Sequence, residues 1–200
     1  TTSGTATSYT DTGLNASTAY SYTVRAIDAA GNASAASNTA TATTQAGTGG
    51  GSIDPTKWYQ VINTGSGKCL DADGGSTANG TKLQQWTCQA GNTNQQWQFQ
   101  PTTSGNYKVI SRNSATLAWD VDGGPAATGD GAKASLWTYG NGTNQQFKPT
   151  ALGNSTYTLT ARHSAKCLDI TDRSTANGAR VQQWTCHNGP AQTYRLAPQS

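Results

Sequence analysis

The chain has 200 residues, of which 34% are hydrophobic, 12% are charged and 23 are glycine. This composition is typical of short strands joined by many turns, so we predict a nearly all-β protein. The formal net charge of +3 is spread thinly, whereas nucleic-acid binding requires a clustered basic face. No run of 18 apolar residues is present to span a membrane. We therefore expect neither nucleic acid nor a membrane as a partner.

The first 44 residues predict β-strands. Residues 37–44 indicate a polar strand, and an earlier strand carries apolar side chains at every second position, which places them on one face. These side chains are Tyr20, Tyr22, Val24 and Ala26. Residues 45–54 are rich in Gly and Ser, a composition typical of a flexible linker.

Residues 55–200 predict nine further short strands, separated by turn signals such as Asn79-Gly80, Asp130-Gly131 and Asn177-Gly178. The predicted strands are Trp58–Asn63, Leu83–Trp86, Trp97–Gln100, Tyr107–Ser111, Ser135–Thr138, Phe147–Lys148, Tyr157–Ala161, Val181–Trp184 and Tyr194–Leu196.

One sequence unit occurs three times in this region, at residues 68–97, 117–147 and 166–194, which we call the first, second and third repeats. Each copy contains an aspartate, then a tryptophan, and ends in a Gln-x-aromatic triplet. A period of roughly 50 residues indicates units that bury their apolar faces only against each other. We therefore expect the three repeats to close around one core, with the triplet aromatics inside it.

The four cysteines have matched positions, because Cys69 and Cys88 are as far apart as Cys167 and Cys186. This spacing predicts two local disulfides, and hence an oxidising, extracellular location for a secreted protein. Four buried thiols are the alternative. The sequence has no Cys-x-x-Cys and only two histidines, so we expect no metal ion and no cofactor.

The repeats of residues 55–200 resemble the ricin B-type β-trefoil and, within it, the family 13 carbohydrate-binding module. Residues 1–44 resemble the C-terminal part of a fibronectin type III domain. The resemblance implies an all-β β-trefoil of three repeats, preceded by a partial β-sandwich segment. It also implies one shallow sugar site in each repeat.

The resemblance assigns a set of sugar-binding residues to each repeat. A pyranose has an apolar C–H face and a rim of hydroxyls, which suit an aromatic platform beside a carboxylate and an amide. The first site is complete, the third has Ala191 in place of an Asn, and the second has Ser135 in place of a Gln, so we expect the second to be the weakest. The predicted residues are Asp71, Gln84, Trp86, Asn94 and Gln95; Asp120, Trp137, Asn144 and Gln145; and Asp169, Gln182, Trp184, His187 and Gln192.

Three other functions fit the sequence less well than sugar binding. Asp71 with Asp73 offers the carboxylate pair of a glycosidase, but a Gly-rich surface turn does not favour the buried acid that catalysis requires. Residues 71–74 begin like a calcium loop and lack its later ligands. A trefoil that binds protein would not need the polar set to recur in register. We predict a monomeric, non-catalytic module that binds polysaccharide or oligosaccharide and targets a secreted enzyme to it; a protein-interaction trefoil is the alternative.

Overall fold

The computed structural model describes Asp11 and residues 18–43, 53–153 and 155–199. The chain divides after residue 48 into two compact units. The predicted linker lies mostly outside the described residues. Within the described ranges, no helix is long and apolar enough to cross a membrane.

The N-terminal unit contains a two-stranded antiparallel sheet. Strand β1 (Ala19–Tyr22) pairs with β2 (Ala40–Thr43), and Ala19 lies opposite Thr43. Between the strands, Asp28 Oδ1 accepts hydrogen bonds from the backbone N–H groups of Ala30 and Asn32. A turn therefore forms at residues 28–32, between the two strands.

The predicted strand through Ala26 ends earlier, at Tyr22. The reason is that serine hydroxyls compete with the strand ladder. Ser37 Oγ accepts from the N–H of Val24 at 2.9 Å, and Ser34 Oγ accepts from the N–H of Ala26 at 3.0 Å. Two short strands do not define a sandwich, so the fibronectin type III resemblance remains a prediction.

The second unit is an antiparallel β-structure with four strands from each third of its length. Its strands are β3 (Trp58–Asn63), β4 (Cys69–Ala72), β5 (Thr81–Trp86), β6 (Trp97–Pro101), β7 (Tyr107–Ser111), β8 (Ser114–Val121), β9 (Ala134–Thr138), β10 (Phe147–Gly153), β11 (Thr156–Ala161), β12 (Cys167–Ile170), β13 (Val181–Trp184) and β14 (Tyr194–Gln199). The prediction of a nearly all-β trefoil is confirmed.

Six of these strands form a closed barrel, because β3 pairs with β6, β6 with β7, β7 with β10, β10 with β11, β11 with β14, and β14 with β3. Closure leaves no unpaired sheet edge around the barrel. The other six strands form three hairpins, β4–β5, β8–β9 and β12–β13. Each hairpin carries the aspartate and the tryptophan of one repeat.

The sequence analysis missed β4, β8 and β12, the first strand of each hairpin. Every residue of β4 and β12 is buried, as is the second half of β8. A strand buried on both faces lacks the apolar–polar alternation that marks the exposed strands. The bounds of β3, β7 and β13 agree with the prediction, whereas β10 and β14 extend beyond it to Gly153 and Gln199.

The triplet aromatics Trp97, Phe147 and Tyr194 are fully buried, as predicted. Trp119 lies between two of them, with ring centroids 5.3 Å from Trp97 and 5.9 Å from Phe147 in edge-to-face geometry. The Trp97 indole also donates a hydrogen bond to the carbonyl of Leu70 on β4. One aromatic core therefore joins the barrel to the hairpins.

The two predicted disulfides, Cys69–Cys88 and Cys167–Cys186, are confirmed. Each ties the first strand of a hairpin to the segment that follows its second strand. In the second repeat Ala118 and Tyr139 take the two cysteine positions. Tyr139 donates a hydrogen bond to Asn141 Oδ1 instead.

Replacing either cysteine pair with alanine should lower the free energy of unfolding by about 3 kcal/mol. The reason is that each bond joins residues 19 positions apart and so constrains a loop in the unfolded chain. Thermal unfolding of the two double variants measures the loss. Added reductant should shift the melting temperature of the wild type and leave the variant that lacks both pairs unchanged. Equal melting temperatures for all the proteins would show that the bonds contribute nothing.

Candidate functional site

Each hairpin forms the wall of a shallow depression with a buried carboxylate at its base and an exposed tryptophan at its side. We call these the first, second and third sites, after their repeats. The first has a volume of about 270 Å³, the second about 550 Å³ and the third about 190 Å³. The first is lined by Asp71, Asp73, Gly74, Gln84, Trp86, Gln89, Asn92 and Asn94.

The carboxylate of the first site is held by two side-chain amides. Asp71 accepts from Gln84 Nε2 at 3.1 Å through one oxygen and from Gln95 Nε2 at 3.0 Å through the other. Burial raises the pKa of Asp71. Both partners are side-chain amides, and each binds a different oxygen of Asp71. The carboxylate is therefore held in one orientation at the base of the depression.

The third site repeats this arrangement. Asp169 accepts from Gln182 Nε2 at 3.0 Å and from Gln192 Nε2 at 3.1 Å. His187 lines the depression, as the sequence predicts, and its Nε2 lies 3.7 Å from Asp169 Oδ2. Asp172 and Arg173 also line it. The repeat pattern does not identify these two residues, because they occur in this repeat alone.

The second site differs in the side-chain amide that donates to its carboxylate. Ser135 occupies the position of the glutamine and forms a hydrogen bond with Asp122. Asp120 instead accepts from Asn144 Nδ2 at 3.0 Å. Burial raises the pKa of Asp120 to about 6; a hydrogen bond from Gln145 opposes this rise, and the nearby charge of Asp122 adds to it.

Three of the predicted sugar-binding residues, the glutamines of the triplets, lie behind the sites rather than in their linings. Gln95 is fully buried, and its amide donates to Asp71 and to the Thr87 carbonyl while accepting from the N–H of Gln89. Protein groups thus occupy its amide, which positions the carboxylate. The same burial and the same type of contact to the neighbouring loop occur at Gln145 and Gln192.

Asn94 and Asn144 precede two of these glutamines and line the first and second sites. Asn94 Oδ1 accepts from Asn113 Nδ2 at 2.7 Å. Asn144 donates to the Val121 carbonyl as well as to Asp120. The two asparagines therefore lie at the sites, but in different hydrogen-bonding roles.

The hairpin tryptophans are partly exposed, with 39% of Trp86, 47% of Trp137 and 42% of Trp184 accessible. Each ring packs near a turn glycine of a different repeat, where a Cβ atom would lie 3.6–3.8 Å from the ring. The glycines have φ values of 82–87°, which favour a residue without a side chain. The pairs are Trp86 with Gly178, Trp137 with Gly80, and Trp184 with Gly131.

The residue before each glycine fixes the strand that bears the tryptophan. Its side-chain oxygen accepts a hydrogen bond of 2.7–2.9 Å from the N–H of the residue that follows the tryptophan. The pairs are Asn177 with Thr87, Asn79 with Thr138, and Asp130 with Thr185. Each site is therefore completed by a turn from another repeat, which the sequence analysis did not foresee.

The chain matches the family described as ricin-type beta-trefoil lectin domain-like over residues 48–137, 122–184 and 143–200. It belongs to this family. A ricin-type lectin domain is a carbohydrate-binding, non-catalytic module, and membership supports carbohydrate binding by the trefoil.

Several known proteins are similar to this chain. Exoglucanase A of Cellulomonas fimi is 38% identical over 152 residues, which are 74% of this chain and 16% of the exoglucanase. The exo-beta-1,3-galactanase 1,3Gal43A of Clostridium thermocellum has a TM-score of 0.68 and 33% identity over 73% of this chain and 31% of its own. ThreeFoil, a designed threefold-symmetric protein, has a TM-score of 0.66 and 38% identity over 70% of this chain and 97% of its own. The chain thus spans a small part of the two enzymes.

Replacing Asp120 with asparagine should remove a pH dependence of stability. Because its folded-state pKa is raised, the carboxyl stabilises the fold most below about pH 4, and this contribution is lost as pH rises through about 6. The melting temperature of Asp120→Asn, relative to wild type, should therefore rise between those pH values.

Asp130→Asn is the matched control, because its hydrogen bond with Lys166 lowers the pKa of Asp130. Its loss should reduce the melting temperature more at neutral pH than in acid. A pH-independent difference between Asp120→Asn and wild type would contradict the raised pKa.

Proposed function

We propose that residues 55–200 bind polysaccharide at three shallow sites and hold a larger carbohydrate-active enzyme on its substrate. The observation that carries this proposal is the recurrence of one polar set, a buried carboxylate beside an exposed indole, on each hairpin. A structural trefoil needs the buried aromatics but gains nothing from three half-exposed tryptophans.

The geometry of the first site suits a pyranose ring. The exposed face of Trp86 offers a platform for the C–H face of the sugar. Asp71 and Gln84 then lie where hydroxyls can donate to the carboxylate and to the amide oxygen. Because the protein already holds Asp71 in place, little side-chain freedom is lost when a sugar binds.

Three weak sites on one rigid unit increase the affinity for a polymer. Once one site is occupied, the chain of sugars stays close to the other two, which raises its effective concentration there. A soluble monosaccharide gains nothing from this effect. The proposal therefore gives the trefoil a preference for polymers over single sugars.

The proposed role in targeting has support from the relatives. Exoglucanase A and the galactanase are, by their names, enzymes that act on polysaccharides, and the matched region is a small part of each. A non-catalytic module beside a catalytic domain is the arrangement that this implies. In the proposal, residues 45–54 are a linker, residues 1–44 are a fibronectin type III segment, and the protein is a monomer. The two disulfides favour secretion.

Affinity electrophoresis of the full chain through gels that contain xylan, arabinogalactan or β-1,3-glucan tests binding directly. Retardation by at least one polymer, relative to a gel without polymer, is the expected result. Migration that no polymer changes would contradict the proposal and favour a trefoil that binds protein.

Trp86→Ala should weaken binding to a neutral polymer more than Trp137→Ala, because the first site retains the complete polar set. Loss of a stacking platform costs about 0.5–1.5 kcal/mol at a single site, which is about 2- to 13-fold in affinity. Leu152→Ala, which removes an exposed apolar side chain outside the sites, is the control and should bind like wild type. Equal losses for the two tryptophan variants would contradict the order of the sites.

A further inference from the structure

We propose that the second site binds an acidic sugar, a uronic acid, whereas the first site binds neutral sugars. This inference rests on the proposed function, because it names the ligand class of one of the three sites. Its basis is that the three sites share one motif but differ in size and in charge.

The first difference is the space that Ser135 leaves. In the first site the Gln84 amide lies between two carboxylates, at 3.1 Å from Asp71 and 3.3 Å from Asp73. The serine at the same position is shorter, and its hydroxyl forms a hydrogen bond with the second carboxylate, Asp122. The second site is about twice as large as the first, about 550 Å³ against about 270 Å³. The second site therefore has room for an additional sugar substituent such as a carboxylate, whereas the first site does not.

The second difference is the charge that neighbouring repeats supply. Lys82 comes from the first repeat and Arg180 from the third, and both line the second site. Lys82 Nζ lies 3.7 Å from Asp73, and Arg180 Nη2 lies 3.8 Å from Asp122. Both separations exceed the distance of a strong charge-assisted hydrogen bond. Arg180 Nη2 also donates to the Ala134 carbonyl at 3.1 Å, so the remaining capacity for a further anion belongs to the Lys82 ammonium and to other N–H groups of the guanidinium.

The three sites therefore differ in net charge. The lining of the first site has two aspartates and no cation. Lys82 lies 3.7 Å from Asp73 and offsets only one of the two charges, so like-charge repulsion still disfavours a sugar carboxylate. The lining of the second site has two aspartates and two cations. A bound carboxylate there meets Lys82 and a guanidinium whose planar fork suits it. The third site has an arginine and a histidine beside its aspartates, but about a third of the volume of the second.

The remaining groups orient such a sugar. Trp137 is the most exposed of the three hairpin tryptophans and offers its ring to the C–H face. Asp120 lies at the base as the hydroxyl acceptor, while Ser135 holds Asp122 by a hydrogen bond. With the ring on Trp137 and hydroxyls on Asp120, the carboxylate of the sugar extends toward Lys82 and Arg180.

Indole N–H resonances of the full chain, labelled with ¹⁵N and assigned by replacing each tryptophan with phenylalanine, test this site by site. Galacturonate and glucuronate are titrated in parallel with galactose and glucose, their neutral counterparts. The Trp137 resonance should shift saturably with at least one uronate and more weakly with its neutral counterpart, and the epimer that binds better identifies the type of uronic acid. The preference should fall as salt rises.

Lys82→Gln and Arg180→Gln should each weaken the uronate response of Trp137 about fivefold, the effect of one partly exposed ion pair. Arg180→Lys retains the charge if the glutamine variant does not fold. Lys148→Gln removes the same charge at an exposed position outside the site and should change nothing.

Two outcomes would overturn the inference alone: equal responses of Trp137 to uronate and neutral sugar, or uronate binding that both glutamine variants leave intact. The proposed function would survive if Trp86 or Trp184 still responded to neutral sugars. If no sugar shifted any of the three resonances and no polymer gel retarded the chain, both the inference and the proposed function would be overturned.

Discussion

Every candidate site in this trefoil depends on a contact between two repeats. A turn of one repeat lies against the tryptophan of another, with a glycine near the ring and an Asn or Asp that accepts from the next N–H group, as Gly178 and Asn177 do beside Trp86. No repeat therefore carries a whole site by itself. The closed six-stranded barrel and its buried aromatics bring the turns and the tryptophans together, so that folding and assembly of the sites are one event.

The same arrangement allows the sites to diverge. The amides that hold the carboxylates belong to the fold, since Gln95 and Gln192 are buried and also bind the loops beside them. The residues around them are less constrained. The second repeat has Tyr139 at the position of a cysteine, and therefore no disulfide, and Ser135 at the position of the glutamine. It nevertheless keeps the buried aspartate and the exposed tryptophan. Because Lys82 reaches the second site from the first repeat, a change in one repeat alters the lining of another repeat's site.

The sequence predicted the closure of three repeats, the disulfides and the buried triplet aromatics, because the register of the copies carries that information. It did not predict β4 or β12, whose complete burial removes the alternation that identifies a strand. Nor did it distinguish the roles of Gln95 and Gln84. Both are glutamines that donate to Asp71, but Gln84 lines the site whereas Gln95 lies behind the carboxylate. Cationic side chains from other repeats were missed for a related reason: periodic motifs report what each copy contains, whereas Arg180 acts in a site that its own copy does not form.

In the proposed function, the carboxylate and the tryptophan of each repeat act together as one sugar site. A crystal structure of the full chain with an oligosaccharide from a polymer that retards it would show whether they do. We expect a sugar ring stacked on Trp86, with a hydroxyl bound to Asp71 and the Gln95 amide still behind the carboxylate. A sugar bound elsewhere on the trefoil, with all three tryptophans unoccupied, would contradict it.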